Sequence, residues 1–348
     1  MILHKHFAGG NIRVVRESGN DIYLENEQRD SGADWFYWAF CVENANGRTL
    51  TFHFEENRLG CFGPAVSRNL HDWAWLGAGE ENSFSYTFGE EESCVYFAHH
   101  MLYDMDRFYR LMQAHAIEIK ELCKTKKGRS VPCAAFGAGE KTVIFTARHH
   151  ACESTGDYVL EGVLEQLLSL PELPFRCVVV PFVDFDGVVD GDQGKGRLPH
   201  DHNRDYIDAP LYPETAAIIR LVKERDVLFG FDFHSPWHKG GENDTCFMVC
   251  NDIKHAAQYT AFGTLLESAV TVDAFAYRCE NNHPFGAGWN TATAGPFAQF
   301  LHRHGARLAF TLETAYFGTK ENVFTEARAV RLGNCFGKAL MRYFGFDK

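Results

Sequence analysis

No stretch of this 348-residue chain is apolar for long enough to cross a membrane. Its longest apolar runs, such as Cys177–Val183, are short and bounded by polar residues or proline, whereas a spanning helix needs about 20 apolar residues. The first fifteen residues, MILHKHFAGGNIRVV, lack the continuous apolar segment of a secretory leader. An excess of positive charge is missing as well. The formal net charge is −12, from 34 Lys and Arg against 46 Asp and Glu, which argues against nucleic acid or an anionic membrane as a partner. The 11 cysteines are odd in number and contain no CxxC pair. They read as reduced thiols of a cytoplasmic protein, not as a disulfide framework. There is no internal repeat, low-complexity tract or flexible linker.

Aromatic residues, by contrast, are abundant. They make up 14% of the chain, with 30 Phe, and the 45% hydrophobic and 23% charged fractions are those of an ordinary globular protein with a large core. The length predicts two domains, or one large domain with insertions. Residues up to about 100 read as β-structure. The aromatic run Asp34–Val42, the alternating segments Leu50–Phe54 and Ser83–Phe88, and Cys94–Ala98 are separated by turn residues. Period-2 strands with short turns predict an antiparallel β-sandwich, with Trp35–Phe40 in its core.

The pattern changes near residue 104. Met105–Cys123 reads as a helix, and strands then alternate with helices. Strands are expected at Lys141–Ala147, Arg176–Phe182, Leu228–Phe233 and Arg307–Leu312. Helices are expected at Gly156–Leu170, Pro213–Arg225, His255–Val270, Gly295–Gly305 and within Asn322–Tyr343. This alternation predicts an α/β domain with a mixed sheet. The boundary falls near 105, giving a sandwich over 1–105 and an α/β domain over 106–348.

Four segments carry chemistry. In Arg148-His149-His150-Ala151-Cys152-Glu153, a His-x-x-Glu pair directly follows a strand, where an imidazole and a carboxylate can share a metal. In Phe231-Asp232-Phe233-His234, a second apolar strand runs into a histidine, which completes a His2Glu zinc set with one position open for water. Glu313 ends the strand Arg307–Leu312, as a buried carboxylate able to serve as general base. In Asp201-His202-Asn203-Arg204, a guanidinium beside an amide suits recognition of a carboxylate. His149 and His238 read as pocket walls, and Arg148 as a support of the pocket edge.

In this order, with the leading β-region, the motifs resemble the zinc carboxypeptidase family, and within it the cytosolic carboxypeptidase branch. Asp34-Trp35-Phe36-Tyr37, the Ser67–Trp75 stretch and Tyr96-Phe97-Ala98 extend the resemblance through the β-region. It implies a zinc ion held by His150, Glu153 and His234, with Glu313 as general base. It implies that Asn203 and Arg204 bind the substrate's terminal carboxylate, and that Asp201 orients His150. Where the family carries an oxyanion-stabilising arginine this chain has Gly194, with Lys195 and Arg197 beside it as candidate substrate-binding cations. The family's capping tyrosine is not evident, and Thr291 falls near its place. The implied activity is hydrolysis of C-terminal residues from peptides or protein tails. A zinc deacylase acting on a small acyl-amino acid, with Lys195 and Arg197 holding a second carboxylate, is the rival enzyme reading. An inactive metal-binding module that recognises tails is the third, and an intact Glu313 argues against it.

Overall fold

The computed structural model describes residues 1–78, 80–292 and 295–345. Nine strands occupy the described residues among the first hundred: β1 (Ile2–His4), β2 (Arg13–Ser18), β3 (Asp21–Glu25), β4 (Ala39–Glu43), β5 (Thr49–Phe54), β6 (Ala65–Ser67), β7 (Trp73–Trp75), β8 (Ser83–Thr87) and β9 (Cys94–Ala98). They form a five-stranded sheet in the order β1-β4-β9-β6-β7 and a four-stranded sheet in the order β2-β3-β5-β8. All pairings are antiparallel except β3 with β5. Alternation along β5 shows why the sheets face each other. Leu50, Phe52 and Phe54 are buried, while the hydroxyls of Thr49 and Thr51 point out to Thr87 and Ser85 of β8 at 2.9 Å. Phe40, Phe52, Phe84 and Phe97 interleave between the sheets. Each such ring contributes on the order of 1.5–3 kcal/mol by burial.

The aromatic run expected as one strand divides its duties. Only Ala39 onward pairs in β4. Trp38 and Phe40 enter the sandwich core, Tyr37 joins the larger core, and Phe36 packs on Tyr316 and Phe317. Trp35 lies outside the sandwich core, edge-on to Trp237.

Helix α1 (Met105–Ala114) starts at an Asp104 cap and ends nine residues short of the expected Cys123. Ala116 takes a left-handed turn (φ 53°), and the chain re-enters as a strand. The remaining strands are β10 (Ile119–Lys124), β11 (Ser130–Phe136), β12 (Thr142–Ala147), β13 (Arg176–Val180), β14 (Val227–His234), β15 (Cys246–Val249) and β16 (Leu308–Thr314). The remaining helices are α2 (Thr155–Leu168), α3 (Phe185–Asp190), α4 (Pro213–Lys223), α5 (Ala256–Ala269), α6 (Phe297–Arg303) and α7 (Glu326–Tyr343).

The seven strands order as β10-β11-β13-β12-β14-β16-β15, parallel through β13-β12-β14-β16 and antiparallel at both edges. Helices α2, α5 and α7 cover one face, with Phe262 and Phe336 against Phe231 and Phe310 and Tyr158 buried in the same core. Helices α4 and α6 cover the other, with Ile218 and Leu301 against Ile144 and Ala309. Glycines let α2 and α7 touch: a Cβ on Gly162 would lie 1.9 Å from the Val330 carbonyl oxygen. From β12 the chain goes first to β13 on one side and then to β14 on the other. The sheet therefore has its switch point between the ends of β12 and β14, where open α/β sheets form crevices. The β-region packs on this sheet's loops through Asn11 Nδ2 to the Gly191 carbonyl (2.6 Å), the Tyr37 amide to Gln193 Oε1 (3.0 Å) and Trp75 Nε1 to the Phe324 carbonyl (2.8 Å).

Candidate metal centre

The three expected ligands meet at that switch point. After β12 the chain turns sharply, because Arg148 adopts φ 60°. This costly conformation for a non-glycine residue is held by Arg148 Nε donating to the Ala151 carbonyl and Nη1 to Asp157, both at 2.8 Å. The turn brings His150 and Glu153 beside His234, the last residue of β14. The ligand atoms of His150, Glu153 and His234 all lie within 4.8 Å of one another, and all three residues are buried. Each histidine presents Nδ1 to a different oxygen of Glu153, His150 at 2.9 Å to Oε1 and His234 at 2.6 Å to Oε2.

Both rings are also held from behind. His234 Nε2 is 2.6 Å from Asp232 Oδ2, and His150 Nε2 is 3.5 Å from Asp201 Oδ2. Carboxylates at the far nitrogen fix tautomer and orientation in ligating histidines. Asp232 also meets His149 Nδ1 at 2.8 Å and accepts from the Thr146 hydroxyl at 2.8 Å, while His149 Nε2 reaches the Tyr206 hydroxyl at 2.6 Å. His149, Asp232 and His234 also stand close enough to hold an ion, but their facing atoms already satisfy one another. Asp232 was the signal left unread in the sequence. Residues i and i+2 of a strand share a face, so a carboxylate two before His234 had to lie beside it.

Glu313 is the register partner of His234 across β14 and β16. It is 8% exposed, and its Oε2 is buried without a hydrogen-bond partner. Burial, then repulsion from Glu153, push this carboxyl up to about 7 against the pull of His234, Lys195 and His150. Glu153 behaves oppositely. Burial penalises its charge, but His150, Lys195 and His234 outweigh it and hold the carboxyl well below the usual range. Burial likewise pushes Asp201 up, and His150 and Arg204 bring it down further. An N, O, N donor set with its far atoms anchored, beside an unsatisfied carboxylate oxygen, fits a catalytic zinc.

The two candidate cations separate. Lys195 is buried with Nζ on Glu153, 3.2 Å from the Pro236 carbonyl and 5.2 Å over the Trp35 ring. Burial works against its charge, but Glu153 more than compensates and raises its pKa. Arg197 does not join the cluster. Its guanidinium meets Asp184 at 2.7 Å and Asp30 and Asp192 at 3.1 Å each. These carboxylates consume the fork, so Arg197 has no donor set to spare for a substrate. Gly194 explains the lost arginine. At φ 76° it packs so closely that a Cβ would lie 2.0 Å from the Ala151 amide nitrogen and 2.8 Å from the His150 carbonyl carbon.

Arg204 is half-exposed, with Nη1 3.2 Å from His150 Nε2 and 3.5 Å from both Asp201 oxygens. Asn203 is buried and its Oδ1 accepts from the Phe297 amide at 3.1 Å, tying it to α6. Thr291 is exposed on a loop. His238 lies at the end of a buried chain, with Nδ1 2.7 Å from His99 Nε2. His99 Nδ1 is 2.9 Å from His100 Nδ1, and His100 Nε2 is 3.0 Å from the Ser154 hydroxyl.

No protein-family model matches the chain. Among curated proteins it is 24% identical over 313 residues to cytosolic carboxypeptidase 2 of Xenopus tropicalis, covering 79% of this chain and 30% of that protein. It is 23% identical over 297 residues to human cytosolic carboxypeptidase 6, covering 75% of this chain and 58% of that one. The chain thus spans about a third to a little over half of these relatives' lengths. Among solved structures, a metallo-carboxypeptidase from Pseudomonas aeruginosa in complex with (2-guanidinoethylmercapto)succinic acid superposes with a TM-score of 0.81 at 18% identity, over 99% of this chain and 100% of that one. A putative carboxypeptidase from Burkholderia mallei gives 0.81 at 19%, over 98% and 96%. The chain is similar in sequence to the cytosolic carboxypeptidases, as its motif order implied, and its fold is that of the metallo-carboxypeptidases.

Proposed function

We propose that this relative of the cytosolic carboxypeptidases is itself a zinc metallocarboxypeptidase, which hydrolyses C-terminal residues from peptides or protein tails. The observation that carries the reading is the convergence of His150, Glu153 and His234 at the switch point, with Glu313 beside His234 and an unsatisfied oxygen on it.

A zinc ion held by those three residues would supply a Lewis acid for the scissile carbonyl and an acidified water. Glu313 takes the proton of the attacking water and delivers it to the leaving amine. A carboxyl raised to about 7 is suited to both transfers near neutral pH. Lys195 takes the oxyanion role that an arginine has in the family. It is the cation on Glu153, and it keeps its charge despite burial. Arg204 pairs with the substrate's terminal carboxylate, with help from Asn203, whose Nδ2 is left to donate once Oδ1 has accepted from Phe297. Asp201 and Asp232 hold the ligating rings.

The deacylase alternative needs a second cation for a second carboxylate, and the engagement of Arg197 with three aspartates speaks against it. The test compares peptides bearing a free C-terminal carboxylate with their amidated twins. The free acids are expected to be trimmed from the end and the amides spared; equal turnover of both would end the exopeptidase reading.

A further inference from the structure

We propose that the outer face of the five-stranded sheet carries a second, structural metal site, in which His4, Cys41, Glu43 and Cys94 bind a thiophilic divalent cation of the zinc class. Strand register brings these four together. His4 is the partner of Cys41 across β1 and β4, and Glu43 is the partner of Cys94 across β4 and β9. Cys41 and Glu43 are two apart on one strand, so the four residues occupy two adjacent rows on the same face.

Three of the donor atoms converge as the register requires, and the fourth, Cys94 Sγ, reaches the group through Cys41. The ligand atoms of His4, Cys41 and Glu43 all lie within 4.8 Å of one another, with His4 Nε2 3.4 Å from Glu43 Oε1. Cys94 Sγ lies 2.9 Å from Cys41 Sγ, inside ordinary non-bonded contact, and neither cysteine forms a disulfide. Two sulfurs, an imidazole nitrogen and a carboxylate oxygen make a closed tetrahedral set. Ligand bonds of about 2.0–2.3 Å require the sulfurs to open to about 3.8 Å and Cys94 Sγ to swing toward His4 and Glu43. His4 Nε2 would face the ion. Its Nδ1 would then give up the 3.2 Å contact from the His6 amide and carry the ring proton into water.

The chemistry differs from that of the catalytic cluster. Cys41 is fully buried, and its burial and the adjacent Cys94 keep the thiol protonated in the metal-free protein. Binding therefore expels protons, and affinity rises with pH. All four positions are supplied by protein and none is left for substrate, which marks a structural site. Its effect is to tie β1, a three-residue edge strand, to two inner strands.

The test uses the whole reduced protein, stripped of metal and titrated with cobalt(II). Thiolate ligation gives an intense near-ultraviolet charge-transfer band that the cluster at His150, Glu153 and His234, which offers no thiolate, does not. The band is expected to appear in wild type and to be displaced by zinc. It should weaken in Cys41→Ser and in Cys94→Ser and vanish in the double variant, while peptide turnover stays at the wild-type level. Glu43→Gln, a conservative change at a half-exposed residue, should keep the band and weaken affinity at least about tenfold. Zinc should also slow alkylation of Cys94 in wild type, a readout that needs no variant. The proposal is overturned by absence of the band in wild type, by its survival in the double cysteine variant, by unprotected alkylation of Cys94, or by a Cys41–Cys94 disulfide in protein isolated under reducing conditions.

Discussion

Lys195 and Arg197 stand two residues apart on one loop and serve different ends. Lys195 lies on Glu153 among the candidate metal ligands, whereas Arg197 is surrounded by Asp30, Asp184 and Asp192. Residue type alone treats them as equivalent cations. What separates them is backbone geometry, since Gly194 and Gly196 both adopt positive φ and re-aim the chain at each step. One cation then has a single paired carboxylate that a metal would share, and the other is engaged by three, of which Asp192 is also held by Arg29. The first arrangement leaves charge available to a substrate, and the second spends it on the fold.

The comparison can be broken at either end. The largest effect is expected from Glu313→Gln, the proposed base, which should lower kcat by on the order of 10²–10⁴ while zinc content holds. Wild-type-like turnover in that variant would reassign the base. Arg197→Met should instead act on stability. It leaves the buried Asp184 carboxylate without its guanidinium, a loss of about 3–5 kcal/mol, measured by denaturant unfolding. The kcat of the folded fraction should not move. Lys195→Met should do the reverse, costing about 10²–10³ in kcat with zinc still bound. If the two variants exchange phenotypes, the contrast is wrong.

A smaller effect tests the electrostatics of the same cluster without substrate. Glu313 in the folded protein is raised from 4.5 to about 7, so between those values the folded state holds a proton that the unfolded state has released. Stability of the metal-free protein should therefore fall as pH rises from about 4.5 through 7. The ceiling is about 3 kcal/mol, at about 1.4 kcal/mol per pH unit. Metal-free Glu313→Gln should lack this slope and melt higher than wild type at pH 8. The smallest change is Arg204→Ala, which should lower kcat/KM about ten- to a hundredfold through loss of one charge-assisted pairing, with Arg204→Lys restoring only part.

Much of this was legible in the sequence, because strand ends write themselves as apolar runs broken by a chemical residue. Val143–Ala147 before His149-His150, Phe231-Asp232-Phe233 before His234, and Phe310-Thr311-Leu312 before Glu313 all become neighbours at the carboxyl edge of one sheet. Edge strands were harder to read. Ile119–Lys124 is built from good helix formers, and only pairing with β11 overrides that propensity. Ser130–Phe136 carries a proline, and Cys246–Val249 is four residues long, so neither shows a strand's period. The fate of Lys195 and Arg197 was illegible because it depends on the packing of Gly194 against His150 and Ala151, a contact made across 43 to 44 positions of sequence.

The central claim is that one zinc, held by His150, Glu153 and His234, makes this chain a carboxypeptidase. Zinc titrated into metal-free wild-type protein, with release of the C-terminal residue from a free-acid peptide followed in the same cuvette, tests it most directly when run beside His234→Ala. The account predicts that wild-type turnover rises with zinc to a plateau and that His234→Ala stays at background at every zinc level. Turnover by metal-free wild type, or by His234→Ala at the wild-type rate, would contradict it.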